Sequence, residues 1–120
     1  MDDILNLKKS KLNPSAEILI PGSKSESNRL LIVSRLYSNP IRIHNLSTAD
    51  DTRVMQDALN SKAEKIDIGH AGTAMRFLTA YFSICENRKV MLTGSERMKQ
   101  RPIGIVVDAL NALGADISYV

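Results

Sequence analysis

The sequence predicts an α/β fold in which helices pack on strands. Short apolar segments of strand length alternate with longer segments whose apolar residues recur at helical spacing. No low-complexity tract or long linker interrupts this alternation. The chain has 120 residues, of which 43% are apolar, so it is the size of one ordinary domain and can build a core.

The first half of the chain predicts two strands, each followed by a helix. Residues 16–20 (AEILI) are apolar and stop at a proline and a glycine, which indicates a strand. Residues 25–37 carry apolar side chains at helical spacing and end before an Asn-Pro pair. Residues 41–46 (IRIHNL) alternate and predict a strand, and residues 50–60 place their apolar side chains on one helical face.

The second half repeats the pattern. Residues 65–69 predict a strand, residues 73–84 a helix, and residues 88–94 a strand that ends in a glycine. Residues 102–114 have helical spacing between a first-turn proline and a terminal glycine. Residues 115–120 (ADISYV) predict a last strand. The predicted order is therefore five strands separated by four helices.

Composition narrows the possible partners. The net charge is +3, from 16 basic and 13 acidic residues, so the chain lacks the concentrated basic field of a typical nucleic-acid binder. Aromatic residues make up 4% of the chain and tryptophan is absent, which leaves little for base stacking. The single cysteine, Cys85, permits no internal disulfide, and neither a signal peptide nor a bilayer-spanning run is evident. We expect a cytoplasmic protein whose partners are neither nucleic acid nor membrane.

The loop PGSKSESNR, residues 21–29, has the features of an anion site. Ser25 and Arg29 are four residues apart and share one helix face. Lys24 lies at the positive end of the helix dipole, where a cation is disfavoured unless an anion is close. A glycine and a helix N-terminus beside these side chains can hold a phosphate or carboxylate, although an ordinary capped helix start remains an alternative.

Two helix starts carry capping residues. Ser23 and Glu26 match the capping box, in which each side chain accepts a hydrogen bond from the other residue's backbone N–H. Asp50 and Asp51 could be interpreted as paired catalytic carboxylates. Acidic residues before a helical segment are more commonly an N-terminal cap, and we adopt that interpretation. We therefore assign no general acid and base pair in this chain.

A second loop, GHAGTAMRF at residues 69–77, also follows a predicted strand and opens a helix. Gly72 allows close approach to the backbone, Thr73 offers a hydroxyl in the first turn, and Arg76 lies one turn further along. The alternative is a tight turn in which Thr73 is a cap and Arg76 a surface charge.

A third basic cluster, SERMKQRP at residues 95–102, precedes the last predicted helix. It contains Arg97, Lys99 and Arg101. Isolated charged loops are usually only solvated, but three loops that join strands to helices can converge at one end of a sheet. The planar fork of arginine suits carboxylate and phosphate.

The three loops together carry a family resemblance. PGSKSESNR, AGTAMR and LTGSERMKQRPIG, in this order within residues 21–104, closely resemble the N-terminal part of the 3-phosphoshikimate 1-carboxyvinyltransferase (EPSP synthase) family. The segments at residues 49–51 and 107–120 are also similar to that family. The resemblance thus covers nearly the whole chain.

The resemblance implies an enzyme of the shikimate pathway of aromatic amino acid biosynthesis. It would transfer the enolpyruvyl group of phosphoenolpyruvate to the 5-hydroxyl of shikimate 3-phosphate and release phosphate, with no metal and no organic cofactor. Glyphosate, which competes with phosphoenolpyruvate in this family, would pack at the Gly72 loop. The residues carried over by position are Lys24 for both substrates and catalysis, Ser25 and Arg29 for shikimate 3-phosphate, Gly72 and Arg101 for phosphoenolpyruvate, and more weakly Thr73, Arg76 and Arg97.

The resemblance also implies a larger protein. The family enzyme has two domains built from βαβαββ units, so we expect this chain to be a partial fragment of that fold. Residues 1–20 would join the other domain and residues 21–120 would be part of the N-terminal substrate-binding domain. We expect the chain by itself to lack appreciable turnover, and its first strand to fray or pair with another copy, because the C-terminal part would be missing.

Some features depart from the family pattern. His70 stands where the family usually has asparagine, and Phe77 where proline is common. Between Asn60 and the second loop the chain is shorter than in many relatives, so we expect a hairpin of the family to be absent there.

Two alternatives are also compatible with the sequence. The related UDP-N-acetylglucosamine enolpyruvyl transferase typically has asparagine after the lysine of the first loop and a reactive cysteine in the third loop. Here Ser25 follows Lys24 and the third loop has no cysteine, which favours the shikimate substrate. A separate anion- or RNA-binding α/β module is the other alternative, because fold alone does not set function.

Overall fold

The computed structural model describes residues 4–120, which form five helices and two short strands. In chain order the elements are α1 (Lys24–Leu36), α2 (Asp50–Asn60), β1 (Lys65–Asp67), α3 (Gly72–Ser83), β2 (Met91–Thr93), α4 (Glu96–Lys99) and α5 (Gly104–Ala112). This combination confirms the mixed α/β class. The finer expectation of complete βαβαββ units is not confirmed, because the described sheet has two strands.

The two strands pair in parallel and are connected by α3. Their partners are Lys65 with Met91, Ile66 with Leu92 and Asp67 with Thr93. Parallel strands need a crossover connection, which a helix usually supplies. The loops that follow β1 and β2 therefore leave the sheet at the same edge, and both of them contain candidate site residues.

The core lies between α2, α3 and the strand pair. Its buried members are Met55, Ala58, Leu59, Ile66, Ile68, Ala71, Ala74, Leu78, Phe82 and Met98. Helix α1 packs against this cluster through Leu31 and Ile32, which are partly buried. The apolar spacing that predicted α2 and α3 is thus the spacing that places their side chains in the core.

Three predicted strands are wrong. Residues 16–20, 41–46 and 115–120 have irregular backbone, and most of their side chains are exposed. A strand is completed by hydrogen bonds to a neighbouring strand, and within residues 4–120 none of these segments has such a neighbour. Their alternating or apolar sequences are suited to a sheet that this part of the chain does not form.

The start of the described chain contributes little to the core. Residues 4–20 are exposed throughout, including Ile18 and Leu19, whose exposed fractions are 77% and 97%. The Cα radius of gyration is 18.5 Å, whereas a compact domain of this length has about 14 Å. No helix in residues 4–120 combines the length and apolar character needed to cross a bilayer.

Two helix starts differ from the sequence prediction. The N-cap of α2 is Ala49, which makes no side-chain cap hydrogen bond, and Asp50 and Asp51 lie in the first turn instead. The third loop contains an unpredicted short helix, α4, whose N-cap Ser95 accepts a hydrogen bond from the Met98 N–H at 3.2 Å. Acidic first-turn residues still interact favourably with the helix dipole without accepting a capping bond.

Candidate functional site

The first loop begins α1 with a side-chain cap. The Glu26 N–H donates to Ser23 Oγ at 3.4 Å, which confirms Ser23 as the N-cap and forms one half of the predicted capping box. The next two residues, Lys24 and Ser25, are exposed at the first turn. The cap therefore presents these two polar side chains to solvent at the positive end of the helix dipole.

Lys24 has a carboxylate neighbour that the sequence reasoning missed. Its Nζ lies 3.8 Å from Oδ2 of Asp51, and the two side chains are 50% and 27% exposed. This separation exceeds a hydrogen bond, so the ammonium keeps its donors for other acceptors. The sequence shows the acidic pair at the start of α2, but it does not predict which cationic side chain lies next to that pair.

Arg29 connects the first loop to α3. Its Nη1 donates to the Ser25 carbonyl oxygen at 3.0 Å, and its guanidinium carbon lies 5.8 Å from the centre of the Phe77 ring. A guanidinium at this distance over an aromatic face is attracted to the ring. Lys24, Ser25 and Arg29 thus share an exposed surface of α1 beside the helix that opens with the second loop.

Helix α1 is held by a buried polar contact. Ser27 Oγ accepts a hydrogen bond from the Ser47 N–H at 2.9 Å, and both residues are buried. Asn28, the next residue, is fully buried, and its amide nitrogen and oxygen have no hydrogen-bond partner among residues 4–120. The N-terminal half of α1 therefore rests on the segment before α2, and this fixes where Lys24 and Arg29 lie.

The second and third loops are joined directly to each other. The Ser95 N–H donates to the Gly69 carbonyl oxygen at 3.0 Å, and Ser95 Oγ lies 2.9 Å from His70 Nδ1. Gly94 is buried, and a Cβ there would lie 2.7 Å from the Gly69 carbonyl oxygen. The convergence of these two loops at the carboxyl edge of the strands is confirmed. The first loop does not follow a strand, so that part of the prediction is wrong.

Gly72 and Arg101 are in direct contact. Gly72 is the buried first residue of α3, and a Cβ built on it would overlap the Arg101 guanidinium and lie 3.3 Å from its central carbon. Met98 Cε is 3.7 Å from the same point. The absence of a side chain at Gly72 is what allows the Arg101 guanidinium to lie against the N-terminus of α3.

The remaining candidates surround this contact. Arg76 donates from Nη1 to the Gly72 carbonyl oxygen at 3.3 Å and from Nη2 to the Pro102 carbonyl oxygen at 3.1 Å. Thr73 is half-buried in the first turn of α3, and Arg97 is exposed on α4. The structure therefore brings Arg76 to the same contact, whereas Arg97 has no hydrogen bond or ion pair to this contact among residues 4–120.

The charges of the site are mostly uncompensated. Ion pairs within residues 4–120 join Lys24 to Asp51, Arg53 to Asp50 and Lys99 to Glu96. The hydrogen bond from Lys99 to Glu96 raises the pKa of that lysine. Arg29, Arg97 and Arg101 have no carboxylate partner in the described part of the chain. Unpaired arginines on one surface favour binding of an anion.

The site is an open surface. Two cavities of about 230 and 260 Å³ are present, one between α1 and α2 and one between α2 and β1. None of the candidate site residues lines either cavity. A small anion bound at Arg101 or Lys24 would contact exposed side chains outside both of these cavities.

Comparison with known proteins identifies relatives along nearly the whole chain. The family model of EPSP synthase (3-phosphoshikimate 1-carboxyvinyltransferase) matches residues 8–61 and 60–120. The two matched segments meet at the end of α2, where the sequence was expected to be shorter than its relatives.

Two curated relatives, from two strains of Bacteroides fragilis, are named 3-phosphoshikimate 1-carboxyvinyltransferase. Each is 54% identical to this chain over 105 residues, which cover 88% of the chain and 25% of the relative. The chain thus spans about a quarter of the length of the curated relatives it matches. On the strength of the family model and these identities, the chain belongs to the EPSP synthase family.

Proposed function

We propose that this chain forms one wall of the substrate site of an enzyme that transfers the enolpyruvyl group of phosphoenolpyruvate to the 5-hydroxyl of shikimate 3-phosphate. The family and the name of the B. fragilis relatives support this reaction. The observation that carries the proposal is the Arg101 guanidinium lying against Gly72 at the carboxyl edge of a parallel strand pair. Ligands of open α/β sheets bind outside this edge.

Phosphoenolpyruvate is proposed to bind at the Gly72–Arg101 contact. Arg101 is exposed and has no carboxylate partner in residues 4–120, so its planar fork is available for a carboxylate or phosphate. The Thr73 hydroxyl lies in the first turn beside it, and Arg97 adds positive charge from α4. Glyphosate, as an anion that competes with phosphoenolpyruvate in this family, would occupy the same place.

Shikimate 3-phosphate is proposed to bind along the start of α1. Ser25 and Arg29 are exposed and connected through the Ser25 carbonyl, so a hydroxyl and a guanidinium face solvent one turn apart. Lys24 is proposed to contact both substrates and to act as the catalytic cation of this wall. Its loose ion pair with Asp51 keeps the ammonium close to its place without consuming its donors.

The chemistry explains why cations dominate this wall. Both substrates carry several negative charges, so their repulsion must be offset before the 5-hydroxyl oxygen bonds to C2 of phosphoenolpyruvate. The tetrahedral intermediate still bears its phosphate, and positioned cations stabilise that charge until phosphate leaves. No metal or organic cofactor is required for this scheme. The general acid and base are proposed to come from outside this chain.

A second domain is proposed to cover residues 4–20 and the open site, and to complete βαβαββ units. Leu5, Leu12 and Leu19 are 81–97% exposed, and apolar surface of this extent favours burial against a partner. Residues 1–3 of the proposed lead-in at 1–20 lie outside the described residues. Without that domain the chain is proposed to self-associate and to lack turnover. Its single cysteine fits a cytoplasmic location.

An amide NMR titration of the chain tests the proposal. Shikimate 3-phosphate, with and without phosphoenolpyruvate, should produce saturable shifts centred on Lys24, Ser25 and Arg29, and phosphoenolpyruvate should extend them to Gly72 and Arg101. UDP-N-acetylglucosamine at the same concentrations should produce none.

Matched lysine variants separate specific binding from general charge. Lys24→Met should abolish the saturable shifts. Lys62→Met removes an exposed lysine in the segment before β1, at the end of that strand opposite to the second loop, and should leave the shifts unchanged. Equal losses of the saturable shifts in both variants would show that the shifts arise from non-specific attraction of anions. The proposed function would be refuted if neither substrate shifted the amide spectrum of this chain or of a version extended to the length of its relatives.

A further inference from the structure

Arg76 holds the two chain segments that meet at the Gly72–Arg101 contact. Its two terminal nitrogens donate to the carbonyl oxygens of Gly72 and Pro102, at 3.3 and 3.1 Å. The first carbonyl belongs to the residue that Arg101 covers, and the second to the residue directly after Arg101. One half-buried side chain therefore bridges the start of α3 and the loop that carries Arg101.

Among residues 4–120, Arg76 donates the one side-chain hydrogen bond that this loop receives, while the Ile103 carbonyl oxygen accepts from the Val106 and Val107 N–H groups at the start of α5. Residues 101–103 lie between α4 and α5 in irregular backbone, and the Arg101 N–H donates back to the Met98 carbonyl oxygen at 3.0 Å. Pro102 has no N–H, so its carbonyl is the one backbone group through which a hydrogen bond can hold it. The donor that it receives from Arg76 ties this loop to α3.

We propose that Arg76 is a positioning residue that keeps the Arg101 guanidinium over Gly72, and that it does not bind the substrate anion itself. This inference rests on the proposed function, because phosphoenolpyruvate is the anion that Arg101 would bind. The geometry supports positioning because Arg76 directs one N–H donor of each terminal nitrogen at the main chain of the two segments that meet at the Gly72–Arg101 contact. Arginine suits the role because its rigid fork reaches two acceptors at once, which the single ammonium of lysine does not reproduce.

The variant Arg76→Lys separates positioning from charge. It keeps the positive charge at this place and removes the fork that spans the two carbonyls. The Arg101 side chain should become more mobile in the ligand-free protein. Phosphoenolpyruvate, titrated in the presence of shikimate 3-phosphate, should bind about 10- to 100-fold more weakly, since small misplacements of a binding group have effects of this size.

The experiment is a double-mutant cycle with two readouts. Wild type, Arg76→Lys, Arg101→Ala and the double variant are compared, with Arg53→Lys as the control because Arg53 is exposed on α2 and pairs with Asp50. The first readout is the heteronuclear NOE of the Arg101 Nε–H in the absence of ligand. The second is the affinity for phosphoenolpyruvate by calorimetry with shikimate 3-phosphate present, after urea unfolding has shown that each variant is folded.

The cycle distinguishes positioning from direct binding. If Arg76 acts through Arg101, adding Arg76→Lys to Arg101→Ala should weaken binding by less than about twofold, because interacting residues are not additive. Full additivity of the two losses would show that Arg76 contacts the anion and would overturn the inference. An unchanged Arg101 NOE in Arg76→Lys would overturn it as well.

Failure of the proposed function gives a different result. If wild type does not bind phosphoenolpyruvate in this chain or in a version of relatives' length, the assigned substrate is wrong. The ligand-free NOE of Arg101 then still decides whether Arg76 holds the loop.

Discussion

Replacing Gly72 with alanine should weaken anion binding at the Gly72–Arg101 contact while leaving the fold intact. The new Cβ would overlap the Arg101 guanidinium and approach its central carbon to 3.3 Å, so that side chain must move away. The displaced atoms are the far end of a flexible side chain, and Met98 Cε at 3.7 Å is an ordinary contact. Gly72 begins α3 without a positive φ, so alanine suits the backbone there.

The opposing effects of Gly72→Ala on stability are both small. Glycine to alanine at a compatible position stabilises by about 0.4–1 kcal/mol through the unfolded chain. Displacing Arg101 offsets part of this, so the free energy of unfolding should stay within about 1 kcal/mol of wild type. A charge-assisted hydrogen bond contributes about 1.5–3 kcal/mol, so its loss should weaken phosphoenolpyruvate binding about 10- to 150-fold.

Gly94→Ala is the matched control, because the same methyl group meets different neighbours. Its Cβ would lie 2.7 Å from the Gly69 carbonyl oxygen and 2.9 Å from Met98 Cγ. These atoms belong to the loop backbone and to a buried side chain, which have little room to move. Such overpacking typically destabilises by about 1–3 kcal/mol. The two variants should therefore separate binding from stability.

The assay combines urea unfolding, followed by circular dichroism, with calorimetric titration of phosphoenolpyruvate in the presence of shikimate 3-phosphate. Gly72→Ala should keep the urea midpoint and lose affinity, and Gly94→Ala should lower the midpoint. If Gly72→Ala loses more than about 2 kcal/mol of stability, the Arg101 side chain does not simply move aside for the new methyl group. If it binds phosphoenolpyruvate as tightly as wild type, the assignment of the anion to this contact is refuted.

Three further predictions concern stability and are measured as shifts of the urea midpoint. Met55→Ala should lose about 2–5 kcal/mol because Met55 is fully buried, whereas Ile105→Ala should change stability by less than about 0.5 kcal/mol, because Ile105 is 88% exposed. Ser27→Ala should lose about 1–3 kcal/mol because the buried Ser47 N–H would lose its acceptor. Burial raises the pKa of Tyr81, so the stability from its neutral phenol is complete below pH about 10 and is lost as pH rises through the raised pKa. Tyr81→Phe should therefore lose less stability than wild type between pH 9 and pH 12. Equal losses would contradict the statement that burial raises the pKa of Tyr81.

The helices were predictable because their signals are local. The apolar spacing and the Ser23 cap lie within a few residues of each other, and α1 begins and ends within one residue of the predicted range. The same holds for α3, which was predicted at 73–84 and extends from Gly72 to Ser83. The information that starts and stops these helices is contained in the segments themselves.

The strands depended on information that is not local. Residues 65–69 and 88–94 contain real strands because each finds the other as a partner. Residues 16–20 and 41–46 carry equally good strand sequences but have no partner in the described chain. Alternation of apolar residues predicts which face of a strand would be buried, but it does not predict whether a neighbouring strand is available.

The loops of the candidate site were predictable from the sequence, but the contacts between them were not. The glycine and arginine residues of the loops indicated anion binding, and the order of strands and helices placed the second and third loops at one edge of the sheet. The sequence did not indicate that Arg101 would lie on Gly72, or that Asp51 would face Lys24. Contacts between residues that are distant in the chain follow from packing of the helices, which local patterns do not contain.

The two proposed subsites differ in how firmly residues 4–120 hold them. The phosphoenolpyruvate side is built from loops that share main-chain hydrogen bonds, with Ser95 bound to Gly69 and Arg76 bound to the loop of Arg101. The shikimate 3-phosphate side consists of side chains on one exposed helix face, of which Lys24 is half-exposed. Preorganised groups bind with less loss of entropy than mobile ones. The Gly72–Arg101 contact should therefore keep its geometry without a covering domain, whereas Lys24 and its neighbours should need that domain to reach their full affinity.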